Sequence, residues 1–326
     1  MFEIVICENE SEQRVDRFLK KYLDKAPLSM IYKVIRKDLK VNGKRVKEDS
    51  ILHNGDTVTF YLLESELKTL QSVKKTVKVK KQFRICYEDE NILIAEKPFG
   101  LLTHGDQHEK KNHLQNQVLD YLISNGSYDP RSNITFTPSP ANRLDRNTTG
   151  LVLFGKNALS LQELNVLVKD KDALKKEYLT IVSGKVNDTL ILKGNMTKDE
   201  HNNMVSVNDM SIGKYMETIC YPVESAVYEN QWYTLLRVNI LTGRTHQIRA
   251  QLQASGYPII GDAKYGNPKI NRIIRQEFSW STQLLHAHRL EFGKVECDRL
   301  SYLEGKVFTA SLPKDFEKIK KTIFGE

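Results

Sequence analysis

The sequence predicts an α+β protein in two parts. A small α+β module spans residues 1–63, and a larger domain over 82–322 is built on a mostly antiparallel mixed sheet; a basic linker over 64–81 joins them. Three observations carry this prediction. Short β-type runs recur from about residue 85 onwards with few helical stretches between them, which suits an antiparallel sheet with added helices. Ahead of them, two helix-period stripes and a few short strands occupy only about 60 residues, the scale of a small module. The charge is also uneven. Of a net +8, residues 1–81 carry 18 Lys+Arg against 12 Asp+Glu, so the remaining 245 residues carry only +2. A basic end on a weakly basic body points to a polyanion-binding module attached to something else.

Taken in order, residues 1–6 alternate apolar and polar and read as a strand. Val15, Phe18, Leu19, Tyr22 and Leu23 form the apolar stripe of a helix, which Pro27 ends. Ser29 is placed to cap a second helix that turns Ile31, Val34 and Ile35 inward and leaves Lys33, Arg36 and Lys37 outside. Asn42-Gly43 and His53-Asn54-Gly55-Asp56 are turn signals, the latter before a strand at Thr57-Val58-Thr59-Phe60. Residues 64–81, with the run Lys74-Lys75-Thr76-Val77-Lys78-Val79-Lys80-Lys81, lack a core and read as an extended linker able to touch phosphate.

In the larger domain, strands are expected at 85–87 and 92–95 around an acidic turn, then at 151–154, 178–183, 217–223, 232–240, 288–292 and 306–311. Helices are expected at about 112–124, 157–169, 246–254 and 269–276. There is no internal repeat and no phosphate-loop or dinucleotide fingerprint.

Composition narrows the classes. At 40% hydrophobic and 28% charged the chain is ordinary for a soluble protein, and no run is long enough to span a membrane. The first residues lack the pattern of a secretion signal, so a cytoplasmic location is expected. Cys7, Cys86, Cys220 and Cys297 are far apart and read as reduced thiols. His286 and His288 would share a strand face but have no partner at metal-ligand spacing, and no metal is expected.

The most telling stretch is Asn142-Arg143-Leu144-Asp145-Arg146-Asn147-Thr148-Thr149-Gly150, one carboxylate between two arginines ahead of Leu151-Val152-Leu153-Phe154. A carboxylate beside a core strand is costly unless paired, so Asp145 either caps a turn or is an ionised catalyst. Further on come Lys176-Glu177-Tyr178-Leu179, then Gly243-Arg244-Thr245-His246-Gln247-Ile248-Arg249, then Gly256-Tyr257-Pro258-Ile259-Ile260-Gly261-Asp262 with Tyr265-Gly266, then Leu284-Leu285-His286-Ala287-His288-Arg289-Leu290.

In that order these segments resemble the RluA-type pseudouridine synthases, whose signature is close to H-R-L-D-x-x-T-S-G followed by K-x-Y, G-R-T-H-Q-I-R and a Gly-x-Pro-Ile-x-Gly-Asp loop. The resemblance runs from about residue 85 to 311. The first module resembles the S4 RNA-binding domain through Arg14-Val15-Asp16-Arg17-Phe18-Leu19, Ser29 to Lys37, Val41-Asn42-Gly43 and Gly55-Asp56. The chain departs from the pattern at Asn142 and Gln251, where histidine is usual, at Thr149 for serine, and at Met30, where many S4 domains have arginine. The branch most similar modifies large-subunit ribosomal RNA.

The resemblance implies an isomerase that breaks the N1–C1′ bond of uridine, turns the uracil and joins C5 to C1′. No atoms are gained or lost and no redox change occurs, so no cofactor is implied. It assigns Asp145 as the catalytic carboxylate, Arg249 as its guanidinium partner and Tyr178 as a ring on which an extruded uracil stacks, its hydroxyl also available to take the C5 proton. Arg143, on the same loop as Asp145, is implied as a holder of displaced RNA, and Arg244 and His246 as RNA contacts. In the module, Arg17, Lys33, Arg36, Lys37, Asn42, Lys44 and Arg45 are the implied RNA contacts. The expected partner is RNA, from the large ribosomal subunit or an assembling particle, with no DNA and no membrane, and the protein itself is expected to be a monomer. Three other readings stay open: a tRNA target, a non-catalytic ribosome-assembly protein, and a metal-dependent nuclease, although no metal-binding cluster is evident for the last.

Overall fold

A computed structural model describes residues 1–72, 78–131, 133, 135–199, 204–208 and 213–325. The first module contains β1 (Phe2–Val5), β2 (Gln13–Arg14), α1 (Val15–Tyr22), α2 (Leu28–Lys37), β3 (Leu39–Val41), β4 (Ile51–Leu52), β5 (Thr57–Phe60) and α3 (Glu64–Thr69). A three-stranded sheet in the order β1-β5-β3 packs on α1 and α2 around Phe18, Leu19, Ile31, Val34, Ile35 and Phe60. The Asn42-Gly43 turn places both residues at positive φ, 51° and 76°, as a tight hairpin requires.

Two expectations need correction here. Pro27, not Ser29, occupies the position before α2, and no side chain caps that helix; proline fixes the backbone angle that suits a helix start. Residues 64–69 are not extended linker. They form α3, because Leu67 and Leu70 at i and i+3 close over the module's core. Of the lysine-rich run, residues 74–77 lie outside the described residues. At the end of the run, Lys81 lies over the rings of Phe83 and Tyr121, at 4.9 and 4.2 Å from their centroids.

The larger domain adds β6 (Arg84–Glu88), β7 (Ile92–Lys97), α4 (Leu114–Ser124), β8 (Ser139–Pro140), β9 (Thr149–Gly155), α5 (Ala158–Leu167), β10 (Leu174–Ser183), β11 (Leu190–Asp199), β12 (Met204–Asn208), β13 (Lys214–Tyr228), β14 (Gln231–Ile240), α6 (Gln247–Ala254), α7 (Pro268–Phe278), β15 (Leu285–Phe292), β16 (Val307–Thr309) and α8 (Lys314–Phe324). The sheet runs β12-β11-β13-β14-β10-β15-β9-β7-β6, with β16 on β15 and β8 on β9. Among the described strands only β15 and β9 pair in parallel, so the mostly antiparallel mixed sheet agrees with the α+β reading. Both faces are covered. Leu93, Val152, Phe154 and Tyr178 face α4 and α6, while Ile92, Ile94, Leu151 and Leu153 face α5. This explains why β7 and β9 read as unbroken apolar runs. Helix α8, which closes over Ile181 and Tyr233 through Phe316, Ile319 and Ile323, was not expected and runs past the predicted boundary at 322.

The module meets the larger domain through polar contacts. Asn9 Oδ1 accepts from the N–H of Ala158 at the start of α5 at 2.8 Å, Glu10 Oε1 accepts from the N–H of Thr135 at 3.1 Å, and Glu8 pairs with Arg299. Among the described residues, no helix is long and apolar enough to cross a membrane.

Candidate active site

Asp145 sits in the loop ahead of β9, where Gly150 must come close to β15. A Cβ on Gly150, at φ 110°, would stand 2.1 Å from the carbonyl oxygen of Ala287. Glycine therefore lets β9 dock in parallel, in register with His286 and Ala287. The Thr149 hydroxyl and His286 Nδ1 hydrogen-bond at 2.8 Å across the same junction. On the other side, the Thr103 hydroxyl donates to the Leu144 carbonyl at 3.0 Å.

The loop is also pinned by Lys97, whose side chain is 1% exposed at the end of β7. Its ammonium donates to the carbonyls of Leu101 at 2.6 Å, Arg146 at 2.9 Å and Pro98 at 3.2 Å. Burial pushes its pKa down to about 7, opposed by the charge of Asp145. Sequence reasoning passed over this residue, although a lysine directly before a proline at the end of an apolar strand was a usable signal.

Helix α6 brings in Arg249. Gln247 fixes the start of that helix, donating to the Glu217 carbonyl at 3.0 Å and accepting from the Thr242 hydroxyl at 2.8 Å. Arg249 then spends its guanidinium on two carboxylates. Its Nη1 donates to Asp145 Oδ2 at 2.9 Å, while Nε and Nη2 form a bidentate pair with Asp262 at 2.7 and 2.9 Å. Asp262 is fully buried and accepts further from the N–H groups of Lys264 and Tyr265. Burial pushes the Asp262 carboxyl up, but the Arg249 hydrogen bonds, its charge and the two backbone donors outweigh this and hold it below the usual range. The Asp145 side chain is 26% exposed, so the pair has one sealed end and one end open to a substrate. The Tyr265 ring lies 5.0 Å below the guanidinium.

The other implied residues divide. His246, left-handed at φ 54°, places Nε2 3.9 Å from Asp145 Oδ2 and hydrogen-bonds through Nδ1 to the Tyr265 hydroxyl at 3.1 Å. Burial pushes its pKa down against the pull of Asp145. Tyr178 follows a bulge in the β10–β15 ladder and is buried on the same face of the sheet; burial, then the Asp145 charge, raises its phenol well above the ordinary value. Arg143 and Arg244 are exposed on the rim. In the module, Arg17, Lys33, Arg36, Lys37, Lys44 and Arg45 are all exposed and, among the described residues, make no ion pair. Asn42 is different. Its amide donates to Asp56 at 2.7 Å and accepts from the Thr57 N–H at 2.9 Å, so it braces two turns. The two departures from the histidine pattern are both bonded. Asn142 accepts from the Leu153 N–H at 2.8 Å, and Gln251 accepts from the Thr218 hydroxyl at 2.7 Å.

The family model described as RNA pseudouridylate synthase matches residues 91–254, which contain Asp145, Tyr178, His246 and Arg249. The chain belongs to this family. It is therefore an RNA pseudouridine synthase, an isomerase that works on RNA. Among its relatives is the ribosomal large subunit pseudouridine synthase C of Vibrio vulnificus, 32% identical over 88% of this chain and 87% of the relative. The enzyme of the same name from Buchnera aphidicola is 30% identical over 88% of each chain. In structure, human RNA Pseudouridylate Synthase Domain Containing 1 matches with a TM-score of 0.51 at 18% identity, over 75% of this chain and 97% of that one, a likeness of fold.

Proposed function

We propose that this enzyme isomerises uridines of large-subunit ribosomal RNA, with Asp145 as its catalytic carboxylate. The observation that carries the site is the shared guanidinium. Arg249 is anchored by the buried Asp262 and offers an N–H of Nη1 to Asp145, which fixes one carboxylate oxygen and leaves the partly exposed group open to a substrate. Addition at C6, attack at C1′ and proton removal at C2′ all start from such a carboxylate. Tyr178 lines the site as a stacking surface; its raised pKa keeps the phenol protonated at neutral pH, which favours stacking over removal of the C5 proton. His246, neutral at that pH, and the exposed Arg143 and Arg244 hold RNA at the rim. The ribosomal target rests on the relatives' names and on coverage of both chains nearly end to end.

The first module serves as an S4-like RNA grip, with Arg17, Lys33, Arg36, Lys37, Lys44 and Arg45 as its free cations. The enzyme acts as a monomer in the cytoplasm. The test is a pseudouridine map, by carbodiimide labelling and primer extension, of RNA from cells lacking the protein. Stops lost from large-subunit ribosomal RNA and restored by wild type but not by Asp145→Asn are the expected result. Losses confined to tRNA would move the substrate, and no loss at all would remove the activity in those cells.

A further inference from the structure

Helix α7 is hydrogen-bonded to the loop that carries Asp262 and exposes a cationic stripe that the uridine site does not use. Ile270 and Ile274 are buried, while Lys269, Arg272 and Arg275 at i, i+3 and i+6 are exposed and, among the described residues, make no ion pair. Their flank of the helix adjoins Asn271, whose side chain accepts from the Gly261 N–H at 2.8 Å and donates to the Asp262 carbonyl at 2.8 Å. The stripe is thus joined through Asn271 to the backbone of Asp262, the residue whose carboxylate anchors Arg249. The acid on this helix nearest its end, Glu277, lies on the opposite flank and interacts with Tyr228. Past the end of α7, Trp280 packs on Phe99 with ring centroids 5.0 Å apart. Phe99 is 46% exposed, on the turn whose neighbour Lys97 holds the Arg146 carbonyl.

We infer that the Lys269–Arg272–Arg275 stripe and the Phe99–Trp280 pair form a second RNA contact beside the cleft, taking the strand that flanks the target uridine. The stripe pairs with successive phosphates, and the exposed ring offers a face to one unstacked base. Extruding a uridine leaves its neighbours unstacked, so a ring at the rim recovers part of that loss. Among the described residues, Lys269, Arg272 and Arg275 on this side of the helix are exposed, and their charge is complementary to RNA. This deepens the reading of the same cleft and rests on it for the position of the target.

The test compares wild type, the triple variant Lys269→Gln/Arg272→Gln/Arg275→Gln, and Phe99→Ala. Each is titrated with a fluorescein-labelled single-stranded oligouridylate across a potassium chloride series, and assayed for tritium release from ribosomal RNA transcripts labelled at uridine C5. The triple variant is expected to lower the slope of log affinity against log salt by about two, since each lost phosphate contact removes about 0.7. Its loss in kcat/KM should come through KM. Phe99→Ala should weaken binding about tenfold with the slope unchanged. Unaltered slope and affinity in the triple variant, with wild-type melting, would overturn the inference and assign the stripe to solvation alone. The binding measurements stand apart from turnover. If wild type releases no tritium from any RNA, the ribosomal proposal fails, while the slopes still decide the second contact.

Discussion

The first module and the catalytic cleft handle charge in opposite ways. Among the described residues, the module leaves Arg17, Lys33, Arg36 and Lys37 in solvent without ion pairs, whereas the site around Asp145 buries Arg249, Asp262 and Lys97 and satisfies each one. Exposed cations attract a polyanion at range, in any register, and yield to salt. Buried, cross-bonded charges act only where they stand, but they hold geometry through the reaction. On the function proposed above, the difference teaches that grip and chemistry are separable, even though Asn9, Glu10 and Glu8 tie the two regions together.

The sharpest break of the comparison is Asp145→Asn. It keeps shape and should lower turnover by at least about 10³-fold while RNA affinity, read by filter binding, stays within about twofold because phosphate contacts dominate it. Next comes Asp262→Ala, which strands a buried guanidinium. Urea unfolding should show a loss of about 3–5 kcal/mol, and Asp262→Asn should recover a part of it.

The third concerns a buried histidine. Burial pushes His286 down to about 4 from an ordinary 6.5. The unfolded chain therefore takes up a proton at higher pH than the folded one, so stability is whole above about 6.5 and falls as pH drops towards 4. The loss is up to about 3 kcal/mol. His104, His113, His246 and His288 are pushed down by burial with the same sign. Unfolding curves at a series of pH values should show this fall, and His286→Gln should flatten it. The smallest effect belongs to the module. Neutralising Lys33, Arg36 and Lys37 should raise KM several-fold and reduce the salt slope by about two, whereas Asp262→Asn should leave that slope as it is.

Much of this protein was legible in its sequence because the signals are local. The stripes of α1 and α2, the Asn42-Gly43 hairpin, and the apolar runs of β7 and β9 follow from periodicity and turn chemistry alone. Asp145, Tyr178 and Arg249 could be singled out by motif before any fold was known. Helix α8 carried its own signal in Phe316, Ile319 and Ile323 and was passed over; α3 was hidden by its polar composition. Strands β11 and β12 were not read, since Lys193, Gly194, Asn195 and Asn208 give weak strand preferences; β11 forms by pairing with β13, and β12 by pairing with β11. Sequence could not say that Arg249 divides itself between Asp145 and Asp262, that Lys97 clamps the loop of Asp145, or that α7 turns its cations outward. Those relations join residues separated by up to 104 positions. They exist only once sheet and helices have packed, because a hydrogen bond between distant groups depends on the whole fold bringing them within about 3 Å.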